Sequence, residues 1–550
     1  MPKNIVICAD GTGNTTIKGR GTNVFKLYEA VDENGHRFDT SGRVIEQVAI
    51  YHDGVGTETL KWIRAFAGAT GWGLSRNVKD LYAALARVYR PGDRIYLFGF
   101  SRGAFTVRTL AGLIAACGIP DRSDKNFETN EIFKKAIQQR YGDYRSKYQT
   151  LLEKAFWAIF GRFVKRQSIA EKYAAEVQRS RGDKTHLVDF VGVWDTVDAV
   201  GLPLAIADIW NQVIYAFKFP DGKLNKEVAV ARHALALDEA RASFAPVLWN
   251  EEDFRQAGGD ARIKQVWFAG VHSNVGGGYP HQGMSLVALD WMMSEAASLP
   301  AIGAVPDGER LRFIPQVREL ISAAADVNGK LYDSRAGLGV YYRWKPRDAE
   351  ALCRGRFVPA RVHRTVLERI ARGTDGYAPG SLPVDPDVIS WSSGPMVTGP
   401  LRECVKEAHR SIGSQSLVEK YKGLIALGRL SYLGFLGATL SAAVLSLARY
   451  YQETIAPAPT LATKLSALSE TITSSHWLNI LFHVLRDHWW IVVLAGGAFV
   501  LSEEIDRRLD NLYSPFWHQA RRGLGKALET RNPQPAQVQA MTGISTSRVG

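Results

Sequence analysis

The stretch RIYLFGFSRGAFTVRTLAGLIAA, Arg94 to Ala116, decides the fold of this chain. Together with the preceding Asp93, its opening forms Asp93–Phe100, a run rich in aromatic and branched residues that reads as a buried strand. Its close, Ala104–Ala116, reads as a helix. Between them stands Gly99-Phe100-Ser101-Arg102-Gly103, a GxSxG motif set at a strand-to-helix corner. Gly99 and Gly103 are what that corner demands, because a side chain at either place collides with strand or helix while the serine holds a strained turn. The turn lifts the Ser101 hydroxyl to the top of the sheet and aims a helix N-terminus at it, where developing negative charge is stabilised. Ser101 is therefore the candidate nucleophile. The plainer reading is a small-residue turn that only packs a helix on a strand.

Working outward, the runs Asn4–Ala9, Gln47–Tyr51, Leu187–Trp194 and Gln265–Val271 read as further strands, and Asn77–Tyr89 reads as a helix. Strands separated by helices predict an α/β fold, α/β-hydrolase-like, with a mostly parallel sheet flanked by helices on both faces.

A serine hydroxyl needs a base to take its proton and a third group to hold the base in one tautomer. Asp195 follows the apolar run ending at Trp194, and His272 follows the run ending at Val271, so both are expected at strand ends. The order Ser101, Asp195, His272 is the order of α/β-hydrolases. Asp198 is the rival acid and His233 the rival base. For the oxyanion, one donor is the N–H of Arg102. The glycine-rich turn Cys8-Ala9-Asp10-Gly11-Thr12-Gly13-Asn14 after the first strand offers Gly11 or Thr12 as the second. Asp10 either orients this loop or holds a cation. The same turn resembles the nucleophile loop of aspartate-dependent phosphatases, but those pair two aspartates two residues apart, and here Cys8 occupies the matching position. There is no Walker-type phosphate loop, and the serine mechanism calls for no cofactor or metal.

The chain has 550 residues, 46% of them hydrophobic and 22% charged, a globular balance that exceeds one ordinary core. Cys8, Cys117, Cys353 and Cys404 lie far apart and form no disulfide or zinc pattern. The first residues run directly into a strand-like segment, so no secretory signal is expected. A net charge of +13 suits nucleic acid or anionic lipid equally. With no zinc-finger spacing, RNA-recognition aromatics or repeated helix-turn-helix pattern, nucleic acid is not the expected partner.

Residues 121 to about 185 read as a helical insertion rich in Lys and Arg, with Phe156, Trp157, Phe160 and Phe163 along it. It is either a solvated layer with an ordinary apolar inner face or a lid over the strand ends. Later, Leu430–Ala448 carries no charge for 19 positions, close to a bilayer span, and the 15-residue run His488–Ser502 has Trp489 and Trp490 at its edge. These predict a hydrophobic hairpin that is either membrane-associated or packed on the catalytic domain. Lys420, Lys422, Arg429, Arg507 and Arg508 flank it, and this bias puts both chain ends on the cytoplasmic side. The expected division is a catalytic domain over 1–420, a membrane-associated hairpin over 421–510, and a basic segment with a disordered tail over 511–550.

Five motifs in order, IVICADGTGNT, GFSRGAFTVRTLAGLI, GVWDTVDAVG, HALALDEARASF and WFAGVHSNVGGGY, together with VHRTVLERIARGTDGYAPGSLP, resemble the α/β-hydrolase family called domain of unknown function 2235, found in bacteria and fungi. The resemblance runs from residue 3 to about 385, and the family includes type VI secretion phospholipase effectors. It implies lipase or phospholipase activity, with the triad falling on Ser101, Asp195 and His272. One departure is Asn274, where the family commonly has an aspartate beside the base.

The expected function is thus acyl-ester hydrolysis on phospholipid or another lipid, by an enzyme resident at the bacterial inner membrane with its catalytic domain in the cytoplasm. A non-catalytic membrane module that keeps the hydrolase fold and a secreted antibacterial effector are the alternatives.

Overall fold

The computed structural model describes residues 2–11, 21–33, 45–53, 72–124, 127, 129–146, 168–197, 222–252, 262–298, 309–390, 399–455 and 475–529. Asp198, Thr12 and the aromatic stretch of the insertion, Phe156 to Phe163, lie outside the described residues.

Eight strands, β1 (Asn4–Ala9), β2 (Gln47–His52), β3 (Arg94–Phe100), β4 (Val188–Trp194), β5 (Val228–Ala236), β6 (Ile263–Phe268), β7 (Arg361–His363) and β8 (Asp387–Ile389), form one sheet in the order β2-β1-β3-β4-β5-β6-β7-β8. Every neighbouring pair is parallel. The fold is α/β-hydrolase-like, a parallel sheet flanked by helices, as the alternating runs predict. β1, β3 and β4 are buried almost throughout because helices cover both faces.

Strand alternation sorts the core into layers. Ile5, Ile7, Ile95, Leu97, Val191 and Val193 face α2 (Trp72–Val88) and α3 (Arg102–Cys117). Val6, Cys8, Tyr96, Phe98 and Phe190 face the other way, with residues of α1 (Asn23–Ala30). From β1 the sheet grows toward β2 on one side and toward β3 on the other, so the strand order reverses at β1, and the carboxyl edge beside such a reversal is where open α/β sheets bind ligands.

In the insertion, α4 (Asn130–Ser146) and α5 (Ile169–Arg181) send Phe133, Ile137, Tyr141, Tyr144 and Tyr173 into the layer already occupied by α3. The described part is an outer helical layer with an apolar inner face.

Beyond β6 come α6 (His272–Gly276), α7 (Gly283–Ser298), α8 (Pro315–Ala324), α9 (Ala349–Arg354), α10 (Arg364–Arg372), α11 (Gly399–Arg410) and α12 (Leu417–Lys420). The chain then enters α13 (Lys422–Tyr450), α14 (Ser475–Asp487) and α15 (Trp489–Glu529). α13 and α15 lie side by side, with Ser431 Oγ donating to the Ala498 carbonyl and Gly434 against Ala498. The segment Lys422–Glu453 is long and apolar enough to cross a membrane, with only 28% of its most apolar window buried. The segments Asn479–Asp487 and Trp489–Leu528 pass the same test together, across an 88° bend.

The division expected at residue 510 falls inside α15. Ile505, Leu509, Tyr513, Trp517 and Leu524 of that helix are buried in a third core cluster with Trp267, Val362 and Leu367. A helix of 41 residues is about 60 Å long, enough to leave the apolar hairpin and still fasten on the sheet domain.

Candidate active site

Because the sheet is parallel, the ends of β1, β3, β4 and β6 open on one edge, and each carries one of the residues singled out from the sequence. Ser101 sits directly after β3 with φ 57° and ψ −121°, a conformation that a non-glycine residue holds only under local constraint. The constraint is visible at its flanks. A Cβ on Gly99 would stand 2.7 Å from the Ala104 nitrogen, and one on Gly103 would run into the Ala9 and Asp10 carbonyl oxygens. The Ser101 N–H donates to the Trp194 carbonyl at 3.1 Å, which ties the corner to the end of β4.

Asp195, the next residue after Trp194, is fully buried and also has a positive φ of 39°. Its Oδ2 accepts the Nδ1–H of His272 at 2.6 Å. Its Oδ1 accepts the Ala236 N–H at 3.0 Å. Arg347 closes on the same carboxylate with both ends of its guanidinium, at 2.7 Å to Oδ1 and 2.9 Å to Oδ2. Burial alone would raise the pKa of Asp195, but the Arg347 charge and the His272 hydrogen bond hold it well below the usual carboxylate range.

His272 opens α6 and lies between two rings, Phe100 at 4.6 Å and Phe244 edge-on at 4.9 Å. Burial lowers its pKa, and the Asp195 hydrogen bond and charge oppose that shift. The imidazole is therefore neutral at neutral pH, with Nδ1 carrying the proton toward the carboxylate. Its backbone N–H donates to Glu239 Oε2 at 3.2 Å. Glu239 is itself buried, and although burial pushes its carboxyl up, Arg241 and Arg347 bring it down to about 2.

Arg347, Glu239, Arg241 and Phe244 are not among the residues chosen from the sequence. Glu239, Arg241 and Phe244 stand within the HALALDEARASF motif, so a signal for them existed. For Arg347 there was none, since it lies 152 residues from the carboxylate it grips.

The rival base is placed elsewhere. His233 is fully buried in β5, where its Nε2 accepts the Thr196 N–H at 3.1 Å and its Nδ1 faces Gln265 Oε1 at 3.3 Å. Burial, reinforced by Arg108, takes its pKa down to about 3. Both ring nitrogens are engaged, so His233 braces the turn after Asp195.

On the loop after β1, the Asp10 carboxylate accepts the Gly11 N–H at 2.6 Å, Thr22 Oγ1 at 2.6 Å and Tyr51 OH at 2.8 Å. This is the loop-orienting arrangement. It also commits the Gly11 N–H to Asp10, where the sequence suggested an oxyanion donor. Among the described residues, no group of three or more His, Cys, Asp or Glu side chains is arranged to hold a metal. Arg102 is the first residue of α3, and a helix start directs its first N–H groups out of the helix. Its side chain is half-buried, and the loss of solvation lowers the guanidinium pKa to about 10.

Thr22 bridges to Gly277, and Asn23 Nδ2 donates to the Val275 and Ser285 carbonyls, both at 2.8 Å, so the start of α1 buttresses the loop that carries His272. Asn274 does the same from within. Its amide donates to the Lys330 carbonyl at 3.0 Å, a bond that a carboxylate at this position cannot make.

The uncharacterized protein YEL023C of Saccharomyces cerevisiae is 29% identical over 256 residues, covering 44% of this chain. The chain spans about a third, 32%, of that relative's length. Among solved structures, the Tle1 effector bound to the VgrG spike of the type 6 secretion system is 17% identical, with 51% of this chain and 52% of that one covered and a TM-score of 0.27. An uncharacterized protein from Pseudomonas aeruginosa is also 17% identical, with 91% and 66% covered and a TM-score of 0.32. Residues 3–295, more than half of the chain, match the family described as "T6SS, Phospholipase effector Tle1-like, catalytic domain", and the chain belongs to that family.

Proposed function

We propose that this protein is a membrane-associated serine esterase that cleaves an acyl ester of phospholipid or another lipid, with Ser101 as nucleophile, His272 as base and Asp195 as the acid that orients the base. The observation that carries this reading is the 2.6 Å hydrogen bond between His272 Nδ1 and Asp195 Oδ2, at the same sheet edge as the strained Ser101 corner. With Nδ1 protonated and held by the carboxylate, Nε2 bears the free lone pair.

In this mechanism Ser101 Oγ attacks the ester carbonyl carbon while its proton passes to His272 Nε2. The carbonyl oxygen becomes an oxyanion beside the first N–H groups of α3, beginning with Arg102. Collapse of the intermediate breaks the bond to the alcohol, which leaves with the proton from His272. Water then repeats the sequence on the acyl-serine, releases the fatty acid and restores Ser101.

The lipid substrate is supported by family membership and by the apolar surface of the hairpin. Leu430, Val444, Leu447, Val493 and Val500 are each more than half exposed, an apolar surface that water disfavours. The uncharged run Leu430–Ala448 is about 28 Å of helix, close to the roughly 30 Å hydrocarbon core of a bilayer. We place the catalytic domain on the cytoplasmic face of the bacterial inner membrane, on the flanking Lys and Arg bias. An alkaline carbonate wash of expressing cells' membranes tests the anchoring, and release of the protein into the supernatant rejects it.

For the chemistry, the full chain and Ser101→Ala are compared on phospholipid and short acyl esters and reacted with a fluorophosphonate probe. Loss of turnover by a factor on the order of 10⁴, with labelling only of the wild type, is the expected result. Equal turnover, or no labelling of either, removes Ser101 from the mechanism and favours a binding module.

A further inference from the structure

Beside the candidate site, but lined by none of Ser101, Asp195 and His272, a cavity of about 340 Å³ lies between the Arg241–Pro246 loop, the segment Lys345–Asp348 and the first two turns of α13. Its walls carry more positive than negative side chains, and most of the charges are already matched. Arg241 is held by Glu239 at 2.8 Å, Arg347 by Asp195, and Lys422 by Glu419 at 2.7 Å. Asp348 is occupied by the Ala351 N–H at 3.1 Å and the Ser416 hydroxyl at 3.3 Å.

Two cations remain. Neither Lys345 nor Arg429 makes an ion pair among the described residues, and the Nε of Arg429 is buried with no hydrogen-bond partner. A buried guanidinium N–H without an acceptor is unfavourable unless a ligand supplies one.

The place of Arg429 along α13 suggests which ligand. Arg429 is the last charged residue before the uncharged run, and Leu430, next to it, is 65% exposed. When α13 crosses a bilayer, the mouth of the cavity stands at the depth of the lipid headgroups, where Lys and Arg meet phosphate.

We propose that this cavity is a binding pocket for a phosphate-bearing anion, the headgroup phosphate of an anionic membrane lipid, held by Arg429 and Lys345. The proposal rests on the membrane reading above but not on Ser101 chemistry. The occupant is a docking ligand that fixes the catalytic domain against the membrane surface, with Arg347 and Arg241 forming the wall between it and the His272 environment.

The test uses the full chain carrying Ser101→Ala, so that no lipid is consumed, in a neutral detergent. Dihexanoyl phosphatidylglycerol, dihexanoyl phosphatidylcholine and inorganic phosphate are titrated separately, and the thermal midpoint is followed. Saturable stabilisation by phosphatidylglycerol is expected, weakened about fivefold in affinity by Lys345→Gln or Arg429→Gln and about thirtyfold by both. The conservative pair Lys345→Arg and Arg429→Lys should retain most of it, which separates lost binding from a damaged fold. Stabilisation by phosphatidylglycerol alone identifies the lipid headgroup, and equal stabilisation by inorganic phosphate identifies free phosphate as the source of the same anion. No saturable effect from either, or an effect that survives the double glutamine variant, overturns the pocket, whatever the fluorophosphonate experiment shows.

Discussion

Arg347 grips both oxygens of Asp195, at 2.7 Å and 2.9 Å, on the same carboxylate whose Oδ2 accepts the His272 Nδ1–H. A buried carboxylate so clamped stays ionised, and its orientation toward the imidazole is set by a planar fork that admits few alternatives. The clamp is a positioning device, acting on substrate only through Asp195 and His272.

Arg347→Met removes the fork and leaves the buried Asp195 charge without its cation. Stability at neutral pH should fall by about 3–5 kcal/mol in urea denaturation, the usual penalty for breaking a buried ion pair. In protein that remains folded, removing a positive charge near the imidazole raises the pKa of His272. The acid limb of kcat/KM on a soluble acyl ester should therefore move to higher pH. An unmoved limb would mean that Arg347 only stabilises the fold.

The wild-type acid limb itself is constrained. The working form of His272 is neutral, and burial lowers its pKa, so the neutral form persists into more acidic solution. The midpoint should lie below the ordinary imidazole value of 6.5. A midpoint at or above that value contradicts the buried environment found here. Stability follows the same sign. His233 and His363 are buried neutral with pKa values of about 3, so the unfolded chain binds more protons than the native one below 6.5. Stability is full above 6.5 and is lost as pH falls toward 3, by up to about 1.4 kcal/mol per pH unit for each ring. The urea midpoint measured across that range checks the slope.

Two glycine substitutions should part in sign. Gly103→Ala drives a methyl group into the Ala9 and Asp10 carbonyls, where β1 and α3 meet, and should lower stability by roughly 2 kcal/mol or more while abolishing esterase turnover. Gly142→Ala, on an exposed turn of α4 with nothing within 4 Å of the new carbon, should raise stability by about 0.5–1 kcal/mol and leave turnover unchanged. Thermal midpoints and ester rates on both variants test the pair.

Trp517 is buried without residual exposure, and its Nε1–H donates to the Pro379 carbonyl at 2.9 Å. Trp517→Ala should cost about 3–5 kcal/mol, as large cavities in cores do. For the same reason a chain cut after Lys420 should aggregate, since it loses the part of the third core cluster contributed by α13 and α15. A soluble, cooperatively unfolding product of that truncation would show the hairpin to be dispensable to the fold.

Which parts were legible in the sequence follows from how local their causes are. β1 and β4 are short apolar runs followed at once by an aspartate, β3 and β6 carry a glycine at or just past their ends, and the Ser101 corner needs only a seven-residue strand that includes Gly99, then Gly103 and a helix. β5 was not read as a strand because Arg232 and His233 interrupt its apolar pattern. Inside the fold Arg232 is paired with Glu295 and His233 with Gln265 and Thr196, partners that no local window contains. The hairpin was visible as uncharged runs, yet it was divided at residue 510 from a basic C-terminal segment, although α15 runs unbroken through that point, because the apolar residues of α15 that reach the core are spaced among charges.

By itself, then, the sequence determined the elements whose apolar pattern and turn chemistry are written within a single strand, turn or helix: the α/β alternation, the glycine-flanked serine corner and the strand-end placing of Asp195 and His272. Tertiary structure decided what depends on charges meeting across the chain. Arg347 is joined to Asp195, Glu239 to the His272 backbone and Asn274 to Lys330, while His233 is withdrawn into the sheet. The physical reason is that a buried polar group must find a partner wherever the fold brings one, and separation along the chain sets no limit on where that is.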